Sequence, residues 1–260
     1  MDGARFVRVT LRRAGLRRSF PPDFAARLEG KTVQALTRRG KYLVAPLSSG
    51  ETLLMHLGMS GSFRLDIDAG SRRPGAGDEP GRHDHVVFRM SSGAIVTFND
   101  PRRFGVMDLV RRGELNQYPA LAGMGPEPLG PDFTAAALAR ACAGKRTPLK
   151  VALLDQQVVA GLGNIYASEA LYRAGLSPRR RASTIATPTG LPREGAARLV
   201  AAIKQVLRDA IARKATAYRS ARFRVYDRAG EPCRTRSCEG IIRRYSQAGR
   251  STFSCPICQR

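Results

Sequence analysis

Residues 233–258 read CRTRSCEGIIRRYSQAGRSTFSCPIC, and this stretch decides most about the fold. Four residues separate Cys233 from Cys238, two separate Cys255 from Cys258, and sixteen lie between the pairs. Two close pairs joined by a hairpin-length spacer suit a tetrahedral zinc ion, because each pair comes from one tight turn. The spacer reads as strand, turn and strand: Ile241 to Tyr245, then Gln247-Ala248-Gly249, then Ser251 to Phe253. The expectation is a zinc ribbon in which Cys233, Cys238, Cys255 and Cys258 hold one structural Zn2+. Four unrelated buried cysteines are the alternative. A bound metal contributes on the order of 10 kcal/mol to folding so small a module. The fifth cysteine, Cys142, falls in an Ala-rich helical stretch and reads as a small buried hydrophobe. Arg250 lies at the hairpin turn. It is either a bidentate fork for phosphate or a solvated loop charge.

The rest of the chain supplies a polyanion-binding charge pattern. Lys plus Arg number 44 and Asp plus Glu number 21 among 260 residues, a net charge of +23. The excess is spread, since residues 1–41 and residues 214–260 each carry 11 basic and 3 acidic side chains. A wide basic footprint favours nucleic acid over a small acidic substrate or a single disordered arm. Apolar residues make up 43%, enough for a core, so wholesale disorder is excluded. No apolar run reaches the ~18 residues of a membrane span. The opening MDGARFVRVTLRR lacks a signal-peptide apolar region. The expected compartment is the cytoplasm, in association with the nucleoid, where clustered cysteines favour metal over disulfides. A monomer is expected, because no self-complementary seam is evident.

Upstream of the cysteines the pattern changes twice. Segments 41–47, 52–57, 62–67, 84–90, 94–98 and 104–110 are short and rich in β-branched or aromatic residues. Ser48-Ser49-Gly50 and Ser91-Ser92-Gly93 fall at hairpin turns. This predicts an antiparallel β-sandwich over 1–115. Residues 70–82 read as a mobile surface loop, and 116–130, rich in Gly and Pro, as a linker. Residues 131–221 are helical. Thr147-Pro148 reads as cap and first turn of a helix over 149–156. A second helix opens at Asn164 after Gly161 and Gly163 and ends at Gly175. A third spans 194–213, with Leu199, Ile203, Val206, Ala210 and Val200, Leu207, Ile211 at helical spacing. Residues 222–260 return to short strands and form the ribbon. The fold class is therefore α+β.

Several motifs carry chemistry with a bland alternative beside each. VVAGLGNIYASE (158–169) places two glycines before a helix capped by Asn164, where backbone N–H groups can face an anion, or forms an ordinary turn. FNDPRRFG (98–105) puts Arg102 and Phe104 in one turn, suited to wedging between bases, and Met59 of HLGMSG is a second wedge candidate; otherwise these are core residues. His83 and His85 could ligate a metal, contact phosphate or pack. Lys41 is a phosphate contact, a reactive amine or a solvated charge.

Taken together, RRGKYL, HLGMSG, HDHV, NDPRRFG, GPEPLG, GLGNIYASEALYRAGLSP and GRSTFSCPICQR resemble the formamidopyrimidine-DNA glycosylases, bacterial base-excision repair enzymes related to endonuclease VIII. The resemblance runs from about residue 5 to 260. It implies a sandwich followed by a helix–two-turn–helix domain with a zinc ribbon, gripping kinked duplex DNA between them. The implied activity is that of a DNA glycosylase and abasic-site lyase acting on oxidised or ring-opened purines in damaged double-stranded DNA. Lys41 matches the strand lysine that assists elimination and contacts phosphate, and Arg250 the arginine at the lesion-side phosphates. Met59, Arg102 and Phe104 match the trio that fills the gap left by the everted nucleotide. His83, Arg102, Lys145, Lys150 and Asn164 match contacts to the DNA backbone.

Two departures accompany the match. The family opens on a proline whose amine is the nucleophile, followed by a glutamate acid, whereas this sequence runs from Met1-Asp2-Gly3-Ala4-Arg5 into what reads as the first strand. The resulting expectations are a start upstream of Met1, or a non-catalytic binder of damaged or abasic DNA. Secondly, ATAYRSARFRVYD (215–227) is shorter than the family's base-covering loop. A zinc-ribbon protein of the RNA or transcription machinery is a third reading, distinguished by indifference to damage.

Overall fold

Alternation of apolar and polar residues sets the first half of the chain. In the computed structural model, residues 1–67, 81–213 and 223–260 are described; the expected loop at 70–82 lies almost wholly outside them, as does most of the short stretch that begins at Ala215. The strands are β1 (Phe6–Leu11), β2 (Thr37–Arg39), β3 (Tyr42–Pro46), β4 (Glu51–His56), β5 (Ser62–Asp66), β6 (Asp84–Met90), β7 (Ile95–Asn99) and β8 (Val106–Arg111), with a one-turn helix α1 (Phe24–Leu28) after β1. They form two four-stranded antiparallel sheets, ordered β1-β6-β7-β5 and β2-β3-β4-β8. Phe6, Val9, Val86, Phe88, Val96 and Phe98 of one sheet share a buried core with Ala45, Leu53, Met55, Met107 and Leu109 of the other. That is the sandwich expected from the pattern.

Turn chemistry fixes the register. The loops at 48–50 and 91–93 close as hairpins through Leu47 N–H to Glu51 O (2.8 Å) and Met90 N–H to Ala94 O (2.9 Å). Gly50 and Gly93 take φ of 84° and 83°, conformations that strongly favour glycine. The expected strand at 104–110 starts later, at Val106, because Gly105 N–H is held by the Asp100 carboxylate and keeps Phe104 in the turn. Helix α1 and strand β2 were not foreseen, being too short to show a period.

The chain separates into two compact units, Met1–Ala122 and Gly123–Arg260. The second contains α2 (Ala135–Cys142), α3 (Leu149–Leu154), α4 (Asn164–Arg173) and α5 (Glu194–Ala212), then the hairpin of β9 (Arg243–Gln247) and β10 (Arg250–Ser254). Thr134 caps α2 by accepting Ala137 N–H (3.1 Å). Cys142 is buried in α2, and burial pushes its thiol up to about 11, as an inert core residue should be. Helix α4 ends in a Schellman motif: Gly175 (φ 67°) donates to Tyr172 O and Leu176 N–H to Leu171 O. Along α5, Leu199, Val200 and Ile203 are buried and Val206 and Leu207 half-buried, but Ile211 is exposed where the last turn outruns the core.

Two expected caps are corrected. Helix α3 starts after Pro148 with no side-chain cap from Thr147; instead Leu149 N–H donates to Arg180 O (2.7 Å). Asn164 is not the cap of α4 but its first helical residue, and Gly163 occupies the cap position. Its amide is thereby free for another task.

Candidate metal centre and nucleic-acid interface

The four Sγ atoms of Cys233, Cys238, Cys255 and Cys258 lie within 4.8 Å of one another, the one such ligand group among the described residues. A sulfur tetrahedron with metal–sulfur bonds of about 2.3 Å has edges of about 3.8 Å. Cys233 to Cys258 is 3.8 Å, Cys238 to Cys255 3.7 Å and Cys258 to Cys238 3.4 Å. The knuckles also supply N–H donors to sulfur: Thr235 to Cys233 (3.4 Å), Gly240 to Cys238 (3.4 Å) and Cys258 to Cys255 (3.5 Å). A Cβ on Gly240 would stand 2.6 Å from Cys255 Sγ, so only glycine lets the backbone approach. Burial opposes ionisation of Cys233, but hydrogen bonds from the Tyr172 hydroxyl and Thr235 outweigh it and bring the thiol down to about 6. The geometry and the donor chemistry both fit a metal ion.

That centre carries the hairpin. Ala248 (φ 46°) and Gly249 (φ 71°) form its two-residue turn, as a type I′ turn demands, and Gln247 pairs with Arg250. Arg250 is exposed at the tip. The next residue, Ser251, offers its carbonyl to two donors from two helices: Lys150 Nζ at 3.1 Å and Asn164 Nδ2 at 3.0 Å. Lys150 also donates to Thr252 Oγ1 (2.8 Å), whose hydroxyl donates to Gln247 Oε1 (3.0 Å). Lys150 is fully buried. Lys145, by contrast, is exposed in the turn between α2 and α3. Of the backbone-contact residues expected here, Lys145 and Arg250 thus face solvent, while Lys150 and Asn164 sit behind the hairpin and brace it.

Burial, and then repulsion from Arg250, lower the Lys150 amine to about 8. The sign for stability follows. Between about pH 8 and the ordinary lysine value near 10.5, the unfolded chain holds a proton that the folded chain has released, so stability rises with pH across that window. The full span is worth about 3 kcal/mol as an upper bound. Urea unfolding of the wild type and Lys150→Met at pH 7.5 and pH 10 is expected to show the larger gain in the wild type; equal gains would remove this account.

In the first unit, Met59 is 73% exposed and Phe104 40% exposed, so both leave the core and the wedge reading gains over the packing one. The Arg102 guanidinium lies over the Phe104 ring, 4.6 Å from its centroid. The loops holding them touch: a Cβ on Gly58 would stand 2.5 Å from the Phe104 carbonyl carbon. Lys41 is exposed in the β2–β3 turn after Gly40, with Arg38 and Arg39 in β2 before it. His83 is half-buried just before β6, and His85 is buried with Nε2 on Asp100 O (2.9 Å). The histidine pair therefore shares no strand face, and neither joins the metal group.

Several residues that organise these sites escaped the sequence reading. His56 packs its ring at a tilt against Tyr42 (centroids 4.7 Å apart) and accepts Gly58 N–H at Nδ1 (2.9 Å), ahead of Met59. Burial, with Lys41 and Arg17 nearby, lowers its pKa and so favours the neutral ring that can accept. Glu169, buried on α4, accepts N–H bonds from Arg224 (2.8 Å), Val225 (2.9 Å) and Tyr226 (2.9 Å). Asp100, between Asn99 and Pro101, is fully buried. Its sequence signal was an acidic residue opening a turn that closes at Gly105.

Comparison with known proteins accords with this arrangement. Residues 1–107 match the family model of the formamidopyrimidine-DNA glycosylase N-terminal domain, and residues 124–222 that of the formamidopyrimidine-DNA glycosylase H2TH domain. The chain is 57% identical over 276 aligned residues to the formamidopyrimidine-DNA glycosylase of Rhodopseudomonas palustris strain BisA53, and 56% identical to that of Bradyrhizobium sp. strain ORS 278. Each alignment covers 100% of this chain and 94% of the relative. Among solved structures, the Lactococcus lactis enzyme non-covalently bound to AP-site-containing DNA superposes with a TM-score of 0.84 at 27% identity, covering 100% of this chain and 94% of that one. The MutM (Fpg) protein of Thermus thermophilus gives 0.80 at 35% identity, covering 100% and 92%. By family model, by relatives and by fold, the chain belongs to the formamidopyrimidine-DNA glycosylase family.

Proposed function

We propose that this chain excises oxidised or ring-opened purines from duplex DNA and cleaves the resulting abasic site, as a monomer in the cytoplasm bound to the nucleoid. The observation that carries the reading is the exposed trio of Met59, Arg102 and Phe104 on two touching loops. A base must leave the stack before chemistry, and apolar wedges repay the unstacking cost of a few kcal/mol. Arg102 adds a cation beside the Phe104 ring, suited to the phosphates and base edges around the gap. Lys41 supplies an exposed amine for phosphate contact and assistance to elimination. His83 and Lys145 contact the backbone at the surface, and Arg250 forks onto the phosphates beside the lesion. Lys150 and Asn164 support that contact from behind.

The ion at Cys233, Cys238, Cys255 and Cys258 is zinc, fully ligated by sulfur and therefore structural. Functionally the second unit divides into a DNA-gripping helical segment, 131–221, and the ribbon, 222–260, with 116–130 as the linker from the sandwich.

Borohydride trapping on a duplex carrying an oxidised purine tests the reading. The chain is assayed as given and with the family's Pro-Glu opening joined ahead of Asp2. A covalent protein–DNA adduct is expected from the form that opens on proline, whose amine forms the imine that borohydride traps. Salt-sensitive binding to an abasic duplex with no adduct from either form would leave a non-catalytic damage binder.

A further inference from the structure

We propose that Asp100 is the positioning residue that locks Met59, Arg102 and Phe104 into a single gap-filling tip; this rests on the function proposed above. Asp100 is 0% exposed and reaches no solvent-facing ligand itself. Its Oδ1 accepts the Ser60 hydroxyl (2.6 Å), and its Oδ2 accepts Gly105 N–H (2.8 Å). Ser60 Oγ in turn accepts Arg102 N–H (3.2 Å). One carboxylate therefore ties the residue after Met59 to the backbone of Arg102 and to the residue after Phe104.

The same residue is anchored to the sheet through its backbone. Its N–H donates to His83 O (3.0 Å), and its carbonyl takes His85 Nε2 (2.9 Å). The loops it joins meet without side chains between them. A Cβ on Gly105 would stand 2.7 Å from the Phe98 ring and 3.2 Å from Asp100 Oδ2, and one on Gly58 would collide with Phe104. Arg103 takes a left-handed φ of 58°, a conformation unfavourable for arginine that the surrounding bonds must hold. A methionine on a free loop samples many positions, and ordering it on DNA opposes binding. Tying it beforehand to the loop of its two partners removes most of that cost.

Asparagine at 100 keeps the volume but removes the charge: its amide can meet Ser60 only by reversing that bond, and neither tie keeps its charge assistance. The probe is a duplex with an abasic-site analogue opposite 2-aminopurine, compared with the intact duplex. The readouts are the ratio of affinities, the fluorescence rise on binding, and the melting temperature. Met59→Ala and Asp100→Asn are each expected to cut selectivity for the abasic duplex about tenfold and to diminish the fluorescence rise. Asp100→Asn should add little in the Met59→Ala background, because both act on one unit. Ser60→Ala, which removes the hydroxyl's bonds to Asp100 and Arg102 N–H and leaves the Gly105 tie, should move both readouts the same way, and keeps the test decisive if Asp100→Asn folds poorly. A lowered melting temperature with wild-type selectivity and fluorescence in Asp100→Asn and Ser60→Ala would reduce Asp100 to a structural residue and overturn the proposal. Fully additive losses would do the same. Wild-type selectivity in Met59→Ala would overturn the gap-filling reading itself, a result distinct from either of these.

Discussion

Cys238→Ala is expected to leave the protein without bound metal and to weaken its hold on an abasic duplex by at least about one hundredfold. The reasoning starts from size. The apolar cluster under the hairpin consists of Val225, Cys233, Ile242, Phe253 and Cys255, and two of its members are themselves ligands. So small a core does not support a module without its ion, whose binding contributes on the order of 10 kcal/mol. Without the ion the hairpin loses its footing, and Arg250 loses its fixed place at the tip. The helices are built differently: Phe133, Leu138, Leu149, Leu171, Leu199 and Ile203 belong to a separate core. Helical circular dichroism should therefore persist while metal content and affinity fall. Metal analysis, circular dichroism and fluorescence anisotropy on one preparation check all three. Full affinity in metal-free protein would remove the ribbon from DNA binding.

Glu169→Ala is expected to lower unfolding stability by about 3–5 kcal/mol. The carboxylate accepts Arg224, Val225 and Tyr226 N–H groups, all at 2.8–2.9 Å. Charge-assisted bonds of this kind are strong, and the Val225 N–H is left buried without a partner when the acid is removed. Tyr226 packs edge-on against Phe253 of the hairpin (5.0 Å), so loosening 224–226 also loosens β10. Glu169→Gln should fall between, since its amide opposes one donor with another. For a chain of this size, about 4 kcal/mol corresponds to roughly 10 °C in melting temperature. Calorimetry of the three proteins settles the order. A loss under about 1 kcal/mol for alanine, on the scale of an ordinary surface change, would mean that water replaces the acid.

What the sequence disclosed follows from how far each signal reaches along the chain. Hairpins at 48–50 and 91–93, the alternation of the sandwich strands and the cysteine pairs are all written within a few residues, and each appears at its expected place. Short elements such as α1 carried no readable period. Lys150 shows the other limit. In GKRTPLK it looks like any surface lysine, and only the fold brings it to Thr252, 102 positions away. The same holds for Glu169 and the 224–226 backbone, and for Asp100 and Ser60. These residues organise the sites through partners distant in sequence, which no local pattern records. The resemblance supplied Met59, Arg102 and Phe104 as a set, but the loop contact that makes them neighbours is visible only in three dimensions.

The doubly held carbonyl of Ser251 has a mechanical consequence. It pins the Ser251–Thr252 peptide, one residue beyond Arg250, so the guanidinium hangs from a braced strand and most of its slack lies in its own side-chain torsions. When it closes on a phosphate, the rotational freedom lost is that of one arginine and not of a swinging finger, which makes the contact quick to form and costly to misplace.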